Sequence, residues 1–345
     1  MYIIEPPIQP MLAKTATAIP SGAGWLYEPK WDGFRAIVFR AEDRIHIASR
    51  NERPLERYFP ELVETLGKAL PSQAVVDGEI VIASEHGLDF DALQMRIHPA
   101  ASRIQMLSKR IPSSFVAFDL LGLDEDLRER PLLERRPRLD EVFTRGPHAF
   151  ITPQTSEASV AAEWFDRFEG AGLDGIVAKK ADEPYLPGKR AWIKIKHLRT
   201  ADCVVGGYRM SKDGAAIGSL LLGLYDGDRL NFVGHTSSFS AEDKRRMLSE
   251  LSKLKGTSGF GEQRGPGGPS RWTGAEEKEW VAIKPVLVCE VAYDHMQGPG
   301  GSTRFRHATT FRRWRSDKDP LDCTYEQCLP PTSMSLDEIT SLTDP

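Results

Sequence analysis

The texture of the chain changes near residue 200, and that change limits what the chain can fold into. Beyond it, apolar runs broken by glycine dominate: C-V-V-G-G-Y-R-M from Cys203, S-L-L-L-G-L-Y-D-G-D-R-L-N-F-V-G-H-T-S from Ser219 and K-P-V-L-V-C-E-V-A-Y-D-H-M from Lys284. Asp226-Gly227 between two apolar runs reads as a hairpin turn. One helical pattern, Ala241 to Leu254, interrupts the strands. About five strands and one helix in this length fit a small closed barrel such as an OB-fold. Gly256 to Gly274 is glycine-rich and reads as a mobile loop.

Before residue 200, strands and helices mix. Phe34 to Phe39 leads through Ala41-Glu42-Asp43 into Arg44 to Ser49, where Ile45 and Ile47 alternate with polar residues as in a hairpin. Phe59-Pro60-Glu61 opens an amphipathic helix with Leu62, Val63, Leu66 and Leu70 on one stripe. Ala74 to Ser84, Ser114 to Leu121, Asp174 to Lys180 and Ala191 to His197 read as strands, and Leu132 to Phe143 and Ser159 to Phe168 as helices. Residues 1–24 are rich in Pro and Ala and are expected to run extended. The reading is an α+β domain over residues 1–199 followed by an OB-fold β-barrel domain over residues 200–345.

With 345 residues and a formal net charge of -4, the chain is no polycation, so nucleic acid would have to be held by local basic patches. Cys203, Cys289, Cys323 and Cys328 form no C-x-x-C pair, which argues against structural zinc. No run of about 18 apolar residues occurs, so no membrane partner is expected. Sparse cysteines fit a reducing compartment, and the chain reads as a cytoplasmic monomer.

The stretch Y-E-P-K-W-D-G-F-R, Tyr27 to Arg35, fixes a lysine between strand-like runs. Pro29 restricts Glu28 to extended backbone, and Gly33 allows close approach to a ligand. Lysine is a nucleophile only as the neutral amine, a minor form at its ordinary pKa of about 10.4, and nearby cations or a metal favour proton loss. A surface lysine in a polar turn would look the same in isolation. In W-I-K-I-K, period-2 geometry puts Lys194 and Lys196 on one face, suited to a polyanion or simply to solvent. Glu79 in V-D-G-E-I-V and Asp174 in L-D-G-I-V-A-K sit at strand ends beside glycine, where a carboxylate can hold Mg²⁺, bind a ribose hydroxyl or merely shape a turn. Phe118 could stack on a base or fill the core. Arg304 to Lys318 carries six basic residues and one acid, interleaved with Phe305, Phe311 and Trp314, a pattern suited to phosphate contacts and stacking.

In order along the chain, K-W-D-G-F-R, S-R-N (Ser49 to Asn51), D-G-E, F-D-L, D-G-I-V-A-K, W-I-K-I-K and R-S-D-K (Arg315 to Lys318) resemble the motifs of the covalent nucleotidyltransferase superfamily. The resemblance is greatest to bacterial ATP-dependent DNA ligases of the ligase C type and to the ligase domain of ligase D. D-L-R-E-R-P-L-L-E-R-R, Asp126 to Arg136, looks like those enzymes too. The resemblance implies an ATP-grasp-like nucleotidyltransferase (adenylation) domain followed by an OB-fold domain. It also implies ATP and Mg²⁺ or Mn²⁺ as cofactors, nicked duplex DNA as partner, and service in excision repair or backup end joining. Lys30 would be the nucleophile and would form a lysyl-AMP. Glu28 would read the adenine amino group, Phe118 would stack on the base, and Arg50 and Glu79 would lie near the ribose. Arg35, Arg190, Lys194 and Lys196 would surround the α-phosphate and the nick phosphate, and Glu79 and Asp174 could hold metal. Asp174 stands where the family more often has Glu. Arg315, Asp317 and Lys318 would meet the pyrophosphate in the first step, which implies closure of the second domain over the first. With Lys30 so near the N-terminus, no DNA-binding domain is expected before it. RNA ligation and RNA capping use the same lysine chemistry. A non-catalytic OB protein that binds nucleic acid is the reading from another class.

Overall fold

Every strand that carries a motif lies in one of two sheets. The computed structural model describes all residues except 85–86, 257–259, 261–265, 267–278, 299–302, 330–333 and 343–345. The chain forms two units, Met1–His197 with Pro330–Pro345, and Leu198–Leu329.

In the first unit the strands are β1 (Leu12–Ala16), β2 (Trp25–Pro29), β3 (Phe34–Ala41), β4 (Arg44–Ser49), β5 (Gln73–Val81), β6 (Ser114–Leu123), β7 (Ala149–Ile151), β8 (Gly175–Lys180) and β9 (Arg190–Lys196). The helices are α1 (Pro60–Ala69), α2 (Phe90–Met95), α3 (Ala101–Arg110), α4 (Leu132–Val142) and α5 (Ala158–Phe168). One sheet has the order β1-β9-β8-β2, the other β7-β6-β5-β3-β4. A core of Met11, Ile37, Phe39, Val75, Phe118, Leu121 and Trp192 draws on both sheets and so lies between them. The outer face of the second sheet packs on α1, α2 and α4 through residues such as Val38, Val76, Leu62, Leu66 and Leu139. Burying each of those leucines contributes about 1.5–3 kcal/mol. The outer face of the first sheet, with Tyr27, Ile176 and Ile195, packs on Trp164 and Phe168 of α5.

The expected β3–β4 hairpin forms, paired from Ala36↔Ser49 to Ala41↔Arg44. Residues 1–24 are not simply extended. Their LAKTA segment is β1, which lies parallel to β9 at the sheet edge, a long-range pairing with no local signal. The expected strand from Ala74 to Ser84 stops at Val81.

The second unit is built from β10 (Arg199–Met210), β11 (Ile217–Asp226), β12 (Arg229–Thr236), β13 (Val288–Tyr293) and β14 (Thr310–Trp314), in the order β12-β11-β10-β13-β14. A parallel bridge between Thr236 and Thr309 joins the two ends, closing the barrel. Gly227, at φ 57, makes the two-residue β11–β12 turn. Helix α6 (Ala241–Leu251) seats Met247 and Leu251 in the barrel core. The glycine-rich stretch 256–274 lies outside the described residues except for Gly256, Phe260 and Pro266. Among the described residues no helix is long and apolar enough to cross a membrane.

The C-terminal segment departs from the expected 200–345 domain. Helix α7 (Leu336–Thr340) starts with a capping box at Ser335 and Glu338. Its Leu336 and Ile339, with Met334, join the core of Trp164 and Phe168 in the first unit. The i, i+3 spacing of Leu336 and Ile339 gives this short helix an apolar stripe to bury there.

The Asp126–Arg136 stretch turns out to be an anchor. Arg135 donates to both oxygens of Asp119, at 2.8 and 2.9 Å, with both side chains fully buried. Arg136 pairs with Asp140 and donates to the Thr152 carbonyl at 2.7 Å. The carboxylate of F-D-L therefore holds the start of α4 against β6. Arg135→Ala strands that charge in the core and should lower the unfolding free energy by about 3–5 kcal/mol. An apolar double replacement, Arg135→Met with Asp119→Leu, should lose less. Urea unfolding of the variants measures the coupling, and a double variant as unstable as the sum of the two single ones would contradict it.

Candidate active site between the two sheets

Lys30 is positioned by backbone pairing just past the end of β2. Its N–H donates to the Gly175 carbonyl at 2.8 Å, and its carbonyl accepts from the Asp174 N–H at 2.9 Å. Two glycines permit this close passage. A Cβ on Gly33 would lie 2.2 Å from the Ile80 carbonyl oxygen, and one on Gly175, at φ +127, 2.0 Å from that of Ile195. Gly33, read from sequence as a place for a ligand to approach, is thus demanded first by β5.

The pairing sets Asp174 beside two lysines. Its Oδ2 is 2.6 Å from Lys30 Nζ and 2.6 Å from Lys196 Nζ. Asp174 is buried and Lys30 is 19 % exposed at its side chain, so the cluster opens to solvent mainly through the lysines. Lys194 shares the inward face of β9 with Lys196, as the alternation predicts. Burial pushes the Lys194 ammonium down from its ordinary range, and the charges of Lys196 and Lys30 push it the same way. Arg190 is exposed and donates to the Ala13 carbonyl at 3.3 Å.

Lys30, Asp32, Arg35, Arg50 and Glu79 line an open pocket of about 450 Å³. Glu79 lies directly across the β3–β5 ladder from Arg35. Burial pushes its carboxyl up to about 7, against the pull of Arg35 and Lys30, with Asp32 and Asp77 adding to the rise. Arg50 is exposed at the pocket.

Arg35, expected as a phosphate cation, lines the pocket and also carries a structural pairing. Its Nε and Nη2 donate to the two oxygens of fully buried Asp77, both at 2.5 Å. Tyr185 Oη donates to Asp77 at 2.6 Å and accepts from the Met11 N–H at 2.9 Å. A bidentate guanidinium inside this network is already committed. Phe118 is buried, with Arg35 4.5 Å and Lys179 4.7 Å from its ring centre and Trp192 edge-on at 6.0 Å. A base stacked on Phe118 would have to take the place of one of those cations.

Glu28 is buried, and each of its oxygens has a partner. Lys179 Nζ lies 2.6 Å from Oε2, and Gln154 Nε2 donates to Oε1 at 2.8 Å. Asp77, Gln154, Lys179 and Tyr185 were not among the residues singled out from sequence. Asp77 had a signal, standing two residues before Glu79 on the same strand face. Lys179 had a weaker one, as the last motif residue of D-G-I-V-A-K. Gln154 and Tyr185 sit in connecting segments with no pattern to mark them.

In the second unit, Arg315 donates from Nη1 to both oxygens of Asp202 at 3.0 and 2.9 Å, and from Nε and Nη2 to Asp317 at 2.9 Å each. The Arg315 hydrogen bond holds the Asp317 carboxyl down at about 2. Lys318 N–H donates to the Arg315 carbonyl at 3.3 Å, completing a turn. The interleaved aromatics of this stretch do not act alike. Phe305 is in the barrel core, Phe311 packs on Phe239, and Trp314 is exposed.

The raised Glu79 carboxyl has a consequence for stability. Between about pH 4.5 and 7 the folded chain keeps a proton that the unfolded chain has lost, so this group lowers stability as pH rises through that window. Glu79→Gln should flatten the decline. Thermal melts at pH 5 and pH 7.5 check it: an unchanged difference between the two pH values would show that Glu79 titrates normally.

The chain matches the family model described as the ATP dependent DNA ligase domain over residues 10–196, and the ATP dependent DNA ligase C terminal region over residues 213–318. It is 50% identical to DNA ligase C of Mycobacterium tuberculosis, with 97% of this chain and 98% of that protein covered. It is 47% identical to DNA ligase C1 of Mycolicibacterium smegmatis, with the same coverage. A solved structure from a study of Lig E DNA ligases superposes with a TM-score of 0.55 at 19% identity, over 89% of this chain and 98% of that one, a likeness of fold. With both family models matched in order around a lysine clasped by Asp174, the chain belongs to the ATP-dependent DNA ligase family.

Proposed function

We propose that the protein seals nicks in duplex DNA with Lys30 as its covalent nucleophile and ATP as its nucleotide. The observation that carries this is the contact of Lys30 Nζ with Asp174 Oδ2 at 2.6 Å, with Lys196 on the same oxygen. An amine must give up a proton to attack, and Asp174 is a carboxylate within hydrogen-bond reach of it. Lys30 Nζ attacks the α-phosphorus of ATP, a P–N bond forms, and pyrophosphate leaves with the electrons of the broken P–O bond. The AMP then passes to a 5′-phosphate oxygen at the nick, breaking the P–N bond. The 3′-hydroxyl attacks that phosphate, the strand closes and AMP leaves.

The remaining residues take roles by position. Lys194, Lys196 and Arg190 offer positive charge to the phosphates, where fixed cations stabilise developing charge. Arg50 and Glu79, at the pocket, fit the ribose side. Glu28 accepts from the adenine amino group, and Phe118 supplies the base platform once one of the two cations beside its ring gives way. Arg35 serves first as the wall that orders β3 against β5. Arg315, Asp317 and Lys318 act on the pyrophosphate in the first step.

A divalent cation, Mg²⁺ or Mn²⁺, would neutralise triphosphate charge when bound. Glu79 fits such an ion, because its carboxyl lines the open pocket with Lys30 and Asp32, and burial strengthens its hold on a proton in a way that a nearby cation would reverse. Asp174 fits less well as a direct ligand, because its Oδ2 already bears two ammonium groups.

Nick sealing on duplex DNA with a 3′-hydroxyl and a 5′-phosphate tests the reading, with ATP set against NAD and GTP. ATP alone should support sealing, and Lys30→Ala should abolish it. Asp174→Asn keeps the shape of the clasp without its charge or its basicity. It should slow self-adenylylation by about 10²-fold or more. Sealing with NAD but not ATP would refute the nucleotide assignment, and an undiminished Asp174→Asn rate would refute the clasp.

A further inference from the structure

On the reading given above Glu28 accepts from the adenine amino group, and its carboxylate is held by one motif residue, Lys179, and by one residue outside every motif, Gln154. A carboxylate selects one base over another only if its lone pairs point in a fixed direction, since a freely turning one accepts from many donors. Glu28 is fixed at both ends. Lys179 holds Oε2 at 2.6 Å, and is itself held over the rings of Trp192 and Phe118 at 4.4 and 4.7 Å. Gln154 holds Oε1 through its amide N–H at 2.8 Å.

The Gln154 loop is built to deliver that amide. Thr155 and Tyr27 exchange backbone hydrogen bonds of 2.8 and 3.0 Å, which pins residue 154 beside residue 28. On the other side, the Thr152 N–H donates to the Ala117 carbonyl at 2.9 Å, and its hydroxyl accepts from Trp31 Nε1 at 2.9 Å. Strands β2 and β6 and the Trp31 side chain thus hold both ends of the loop from residue 152 to residue 155. An amide in this place supplies a donor without adding charge, so Glu28 stays an acceptor.

We propose that Gln154 is a positioning residue for base selection: it sets the Glu28 carboxylate to accept from an exocyclic amino group and to reject a carbonyl. Adenine presents an amino group at position 6 and is accepted. Guanine presents a carbonyl oxygen there, which faces Glu28 with lone pair against lone pair and is rejected. The inference rests on the reading of Glu28 given above and assigns its selectivity to a second residue.

The test compares KM and kcat of self-adenylylation for ATP and for purine riboside triphosphate, which carries hydrogen in place of the 6-amino group, in the full-length protein. Wild type should prefer ATP, and Glu28→Ala should remove the preference. Gln154→Leu should raise KM for ATP by about tenfold, the scale of one hydrogen bond to a charged group. It should leave KM for the analogue within about twofold and kcat for both near wild type. Gln154→Glu has the same size but turns the donor into an acceptor, so it should lose the ATP preference as well, and it serves if the leucine variant does not fold. If Glu28→Ala loses the preference while both Gln154 variants keep it, Gln154 has no part in selection and the Glu28 reading survives. If both KM values rise together in the Gln154 variants, the residue is structural and the proposal is overturned. If wild type shows no preference, the reading of Glu28 falls and this inference with it.

Discussion

One carboxylate oxygen holding two ammonium groups is the contact on which the site depends. Asp174 Oδ2 lies 2.6 Å from both Lys30 and Lys196. Two positive charges this close repel, and a buried carboxylate between them offsets that repulsion while keeping both side chains extended into the cleft. The backbone makes it possible: Lys30 pairs with residues 174 and 175 on one side of β8, and β9 runs antiparallel on the other. Both passages are tight enough that Gly175 tolerates no Cβ.

From that contact the rest of the first unit can be followed outward. The first sheet brings Glu28, Lys30, Lys179, Lys194 and Lys196 to its inner face, and the second brings Arg35, Asp77, Glu79 and Phe118. The two inner faces are polar near Lys30 and apolar farther in, where Met11, Phe39, Leu121 and Trp192 pack. The apolar part sets the distance between the sheets, and the Arg35–Asp77–Tyr185 network stiffens its border. Rigid placement of this kind is what phosphoryl and nucleotidyl transfer ask of a protein, because the chemistry is mostly alignment and charge.

Much of this was legible in the sequence. Period 2 put Lys194 and Lys196 on one face, and K-W-D-G-F-R marked a lysine that is held between strands. The hairpin at Asp226-Gly227 and the barrel follow from turn chemistry and alternation. What escaped was non-local. Nothing in LAKTA announces a strand whose partner begins at Arg190. Arg35 was assigned to phosphate by resemblance, and nothing in the sequence showed that Asp77 would hold its guanidinium, while Phe305 was grouped with stacking aromatics because residue type was read without knowing which side faced in. The segment that forms α7 was assigned to the barrel by position in the chain, with no helix read there, and its two apolar residues could not say which core they would join. Gln154 is the limiting case: its value lies wholly in a contact across the fold.

The central claim is that Lys30 carries the nucleotide. Incubating the full-length protein with ATP and Mg²⁺ in the absence of DNA, then digesting it and locating the added AMP by mass spectrometry, tests this most directly. The account predicts a single adduct, on the peptide containing Lys30 and bonded to its side-chain nitrogen. An adduct on any other residue, or none with either Mg²⁺ or Mn²⁺, would contradict it.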